Sequence, residues 1–127
     1  NDKKHQLEVI KMIRKYQPEI VLCNAIDDRH IDHAKGSQLV SDACFLSGLI
    51  KIETNADGQI QSQWRPKQVY HFIHANSKLP ETPISSKNFT DSVAYRARDL
   101  GRIIGVEYAE GFTVERYAAV ESLFDLK

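Results

Sequence analysis

The stretch Asp27-Asp28-Arg29-His30-Ile31-Asp32-His33 concentrates more titratable chemistry than any other part of the chain. His30 and His33 stand three apart, so on a first helical turn both imidazoles can face the same way. A zinc site takes three or four His, Cys or carboxylate groups, and a catalytic one leaves a position for water. Asp32, between the two histidines, can accept a hydrogen bond from an imidazole and fix its tautomer. One histidine on Zn2+ and one left to donate to a developing oxyanion is a workable hydrolase layout. Arg29 adds a cation suited to an anionic or hydroxyl-rich substrate. The same residues also fit a plain helix start, with Asp32 as its cap and two surface histidines. Spacing alone favours that plainer reading. Asp27 and Asp28 read as solvated loop carboxylates, and His71 as a satisfied, partly buried histidine on a strand. The glycines are scattered singly, so there is no phosphate-binding loop, and no Gly-x-Ser-x-Gly elbow is present.

The elements that must hold this stretch follow from periodicity. Leu7, Ile10, Ile13 and Tyr16 recur every three residues, widened by Val9 and Met12, which predicts a helix over 5–16. Lys11, Arg14 and Lys15 cluster late, as suits a helix C-terminus, and Pro18 stops it. Glu19-Ile20-Val21-Leu22-Cys23 is an unalternating apolar run, expected to be a strand buried on both faces. The titratable stretch then falls in the loop at that strand's carboxyl end, where ligands bind in open α/β sheets. Asp32 is expected to cap the next helix, which runs to about Ser47 with Leu39, Val40, Ala43, Cys44 and Leu46 on its apolar face. Asn55-Ala56-Asp57-Gly58 reads as a turn, residues 68–73 as a second strand, and residues 76–86 as a loop. A third helix is expected over 89–104, ended by Gly105, and the tail is expected to pack. Two strands are too few for a helix-covered parallel sheet.

The chain has 127 residues, a size suited to a single domain. Its seventeen basic and seventeen acidic residues cancel, so no global basic field points to nucleic acid. No apolar run is long enough for a membrane span. Cys23 and Cys44 both lie in apolar surroundings and read as free buried thiols, with the cytoplasm as the expected compartment.

With its flanks, Pro18 to Asn24 followed by Asp28-Arg29-His30-Ile31-Asp32-His33 resembles the second metal motif of the PIG-L/LmbE-like N-acetylglucosamine deacetylases. It is most similar to the branch serving bacillithiol biosynthesis. Ala43 to Leu49 with Lys51-Ile52-Glu53-Thr54, Trp64-Arg65-Pro66 with Val69-Tyr70-His71, Glu81 to Lys87, and Gly105 to Phe112 are similar to that branch as well. The resemblance implies an α/β fold with a Rossmann-like, mostly parallel sheet flanked by helices. It implies zinc-dependent removal of the N-acetyl group from an amino-sugar conjugate, N-acetylglucosaminyl malate in particular, and a homo-oligomer. By the same resemblance His33 is a zinc ligand, and His30 stabilises the oxyanion or protonates the leaving amine. Asp32 orients and charges a histidine. The family's proline is replaced by Ile31, its Ala-His-Pro-Asp-Asp motif is absent, and Ile73 runs directly into His74-Ala75-Asn76 where the family has a further strand and helix. The expectation is therefore one partial deacetylase domain over 1–127, with an omission near residues 73–74, inactive by itself. The competing expectation is a non-catalytic module of the same descent that serves in assembly.

Overall fold

Asp2 starts the first helix, its carboxylate accepting a hydrogen bond from the His5 backbone N–H at 3.0 Å. Helix α1 spans Lys3–Tyr16 and closes on Gln17, whose left-handed backbone (φ 48°) lets its N–H reach Ile13 O. The computed structural model describes residues 2–28, 30–73, 85–115 and 120–122. It is an α/β structure. The chain divides into one unit formed by residues 1–74 with 113–127 and a second formed by residues 75–112.

In the first unit, β1 (Ile20–Cys23) leads to α2 (Ile31–Leu46) and then to a hairpin of β2 (Asn55–Ala56) and β3 (Gln59–Ile60). Strand β4 (Gln68–Phe72) pairs with β1 in parallel, Ile20 opposite Gln68 and Cys23 opposite His71. Strand β5 (Phe112–Val114) completes a sheet of order β1-β4-β5. The sequence reading found β1 and β4 and missed the other three strands. Asn55 and Ala56 are a strand rather than a turn. The turn is Asp57-Gly58, where both residues take positive φ (53° and 79°), as a two-residue hairpin of this hand requires.

The core gathers Ile10 and Ile13 of α1, Cys23 of β1, Ala43 and Cys44 of α2, and Val69 of β4. Val21, Val40, Leu46 and Trp64 pack against it. Two expectations fail here. Tyr16 is not on the buried stripe of α1 but exposed. Strand β1 is not covered on both faces, since Ile20 and Leu22 are 58% and 56% exposed while Cys23, on the opposite face, is 6% exposed. Only the face toward the helices is filled.

Arg14 is 4% exposed despite its charge. Its guanidinium donates to Ser47 O (3.0 Å), Leu49 O (2.9 Å), Ile52 O (2.6 Å) and Thr54 Oγ1 (2.9 Å). One side chain thus holds the whole connection between α2 and β2. Burial alone pulls the Arg14 pKa below its ordinary value.

The second unit is built on α3 (Lys87–Ile104), capped by Ser86 and closed by Gly105 at φ 76°. The Val106 N–H returns to Gly101 O and the Ala109 N–H to Ala97 O. That return needs Gly101, because a Cβ there would sit 2.6 Å from Val106 O. Among the described residues no helix is long and apolar enough to cross a membrane.

Candidate functional site

Strand β1 ends at Cys23 and α2 begins at Ile31, so the intervening loop lies at the carboxyl end of a parallel strand pair. Helix α2 does not start as expected. Its N-cap is His30, with no side-chain cap bond, and Asp32 stands exposed in the first turn. Asp28 does the local work instead. Its Oδ1 accepts from the His30 N–H at 2.9 Å, an Asx-type turn that sets the helix entry. Asp32, one position into the helix, is left to favour the positive end of the helix dipole.

Asp28 is also not solvated. Its side chain is 4% exposed, and its Oδ2 lies 2.9 Å from His33 Nδ1. A carboxylate only accepts, so the contact places a proton on Nδ1, and in the neutral ring Nε2 is then the acceptor nitrogen of His33. That is the tautomer and the orienting partner a metal-ligating histidine uses. The His33 side chain is 52% exposed. The His30 ring lies beside it, centroids 5.1 Å apart and planes at 53°. The structure thus brings His30, His33 and Asp28 together. Sequence reasoning missed Asp28, although an aspartate two residues before a helix cap is the signal of an Asx turn. Arg29 lies outside the described residues, as do His74 and residues 116–119.

The donor set is incomplete for zinc. Among the described residues no group of three His, Cys, Asp or Glu side chains is arranged to hold a metal ion. His33 alone has the geometry of a ligand, so the residues present do not by themselves fit the ion. A cleft of about 260 Å³ opens elsewhere, at the C-terminal half of α2, lined by Ser41, Cys44, Arg65 and Glu115 among others.

Beneath the loop is a buried polar cluster. His71 on β4 is 1% exposed, which makes it fully rather than partly buried. Its Nδ1 is 2.8 Å from Ser37 Oγ, 3.1 Å from Asn24 O and 3.2 Å from Cys23 Sγ. Its Nε2 faces Glu115 Oε1 at 3.6 Å, and the Ser41 hydroxyl donates to that same carboxylate. Among the described residues Cys23 and Cys44 form no disulfide, and both are buried. Burial, and then the Glu115 charge, push the Cys23 thiol up to about 11, against a smaller opposing effect of Ser37. Cys23 is therefore a packed thiol rather than a nucleophile.

This shift carries a pH consequence. Below the ordinary thiol value of 9.0 both folded and unfolded chains keep the proton. Between there and about 11 the unfolded chain releases it first, so stability falls as pH rises through that window. The loss is roughly 2–3 kcal/mol at its alkaline end. Urea midpoints across the window should show this slope in the wild type and lose it in Cys23→Ala.

No family model matches the chain. Several solved structures share its fold, among them the following two. The conserved protein TT1542 from Thermus thermophilus is 19% identical at a TM-score of 0.77, covering 94% of this chain and 61% of that one. GalB, the 4-carboxy-2-hydroxymuconate hydratase from Pseudomonas putida KT2440, is 19% identical at a TM-score of 0.68, covering 97% and 62%. The chain thus spans about three fifths of the length of these neighbours.

Proposed function

We propose that the chain is part of a zinc-dependent hydrolase that removes the N-acetyl group from an N-acetylglucosamine conjugate, N-acetylglucosaminyl malate in particular. The sheet would be Rossmann-like and mostly parallel in the whole protein. The observation that carries the reading is the Asp28–His33 hydrogen bond, which presents Nε2 of an otherwise exposed histidine as a ligand. Zinc would supply Lewis acidity and a water ionised near neutral pH. His33 would be one of the ion's ligands, with Asp28 keeping its ring in the right tautomer. His30, next to it, donates a hydrogen bond to the amide oxygen as negative charge develops there, or a proton to the leaving amine. Asp32 adds negative charge in the same helical turn. Arg29 is assigned to the substrate's anionic or hydroxyl groups. The remaining ligands and the base would come from a segment like the family's Ala-His-Pro-Asp-Asp motif, which these 127 residues do not contain. A cytoplasmic homo-oligomer acting on a small amino-sugar conjugate completes the proposal.

The test is zinc content and acetate release in the intact protein. Near-stoichiometric zinc and hydrolysis of N-acetylglucosaminyl malate that a chelator abolishes are the expected results. A zinc-free intact protein would favour the second reading, a non-catalytic module serving in assembly. One observation is compatible with that reading: no metal-holding group forms around His33 among the described residues. Turnover of 4-carboxy-2-hydroxymuconate with no amide hydrolysis would replace the deacetylase by a hydratase.

A further inference from the structure

We infer that His71 is a positioning residue for the β1–α2 junction, holding the Asp28–His33 pair in place from below. The inference rests on the reading of His33 as the working histidine of the site. Burying an imidazole costs free energy unless its nitrogens are satisfied, and an apolar side chain would fill the same volume without that cost. The His71 ring is satisfied by groups that belong to the two sides of the junction. Asn24 O, an acceptor only, requires a proton on Nδ1 and anchors the first residue after β1, four before Asp28. Ser37 Oγ shares that proton from α2, one helical turn beyond His33. Glu115 Oε1, itself bonded by Ser41, lies 3.6 Å from Nε2 on the other side of the ring. Loop and helix face each other here, since a Cβ on Gly36 would be in van der Waals contact with Asn24 Nδ2 at 3.4 Å. One ring therefore fixes the distance between the loop that carries Asp28 and the helix that carries His33. A shift of that distance breaks the Asp28–His33 hydrogen bond before it unfolds anything.

The test reads the His33 ring in the metal-free intact protein, by long-range proton–nitrogen correlation at mildly alkaline pH. The wild type should show His33 protonated at Nδ1, against the Nε2–H form that an imidazole prefers in water. His71→Ala and Ser37→Ala should return His33 toward Nε2–H. His71→Asn, whose amide N–H replaces Nδ1–H toward Asn24 O, should restore the wild-type pattern. Wild-type His33 signals in a folded but less stable His71→Ala protein would overturn the inference. Should His71→Ala fail to fold, Ser37→Ala decides, because it removes only one hydroxyl. In the deacetylase assay the same variants should lose about ten- to a hundredfold in kcat with KM unchanged. A wild type that hydrolyses no amide rejects the functional reading alone, and the ring signals still decide the positioning role.

Discussion

His33→Ala in the intact protein should lose its zinc and all measurable deacetylation. His30→Ala should keep zinc and lose about 10²–10⁴-fold in kcat. The asymmetry follows from geometry. His33 has a buried carboxylate on Nδ1, which fixes its tautomer and directs the other nitrogen's lone pair outward from that bond. His30 offers only its backbone N–H to the same carboxylate, which on the proposed reading leaves its ring for the substrate. Removing His33 deletes a ligand, and a site of three protein ligands holds its ion poorly with two. Removing His30 deletes only stabilisation of charge that appears in the transition state. Metal analysis and steady-state kinetics on the two variants check this. Normal turnover in His30→Ala would sink its assigned role, and full zinc in His33→Ala would sink the other.

The second large effect concerns the fold. Arg14→Ala should cost about 3–5 kcal/mol, read as a fall in the denaturant midpoint. The substitution removes the guanidinium from three carbonyls and one hydroxyl between Ser47 and Thr54; Ser47 O and Leu49 O keep the backbone N–H of Trp64 and of Ile52, while Ile52 O and Thr54 Oγ1 lose their short charged donor. Ser47 and Thr54 are themselves buried, so water cannot replace all of those bonds. Arg14→Lys should recover only part of the loss. An ammonium donates from one point, whereas the planar guanidinium spreads five N–H groups across four acceptors. A loss under about 1 kcal/mol in Arg14→Ala would show that the connection holds itself.

The three helices and the strands at 20–23 and 68–72 were legible because each has enough residues to show a period or an apolar run. The hairpin was not, since two residues on either side of Asp57-Gly58 are too few to alternate. Strand β5 was missed for a related reason: three residues pair with a strand about forty positions away. The apolar run of β1 was over-read, because an unbroken run looks the same whether the second face is covered or bare. Arg14 resembled an ordinary basic residue near a helix end, and its acceptors lie more than thirty positions along the chain. At the site the histidines were legible from type and spacing. The role of Asp28 was not, because burial of a loop carboxylate depends on what folds over it. His71 was read as satisfied, but its partners sit on β1, α2 and the end of β5, which no local pattern reveals.

The bare face of β1 also bears on how the molecule behaves in a crowd of its own kind. Among the described residues β1 is the outer strand of its sheet, and it carries neither a charged residue nor a proline to discourage pairing. Ile20 and Leu22 make that border greasy. With the charges of the whole sequence balanced at neutral pH, no long-range repulsion keeps a second copy from that border. Concentrated solutions near neutrality therefore favour edge-to-edge sticking, and a shift of pH to either side restores the mutual repulsion that disperses it.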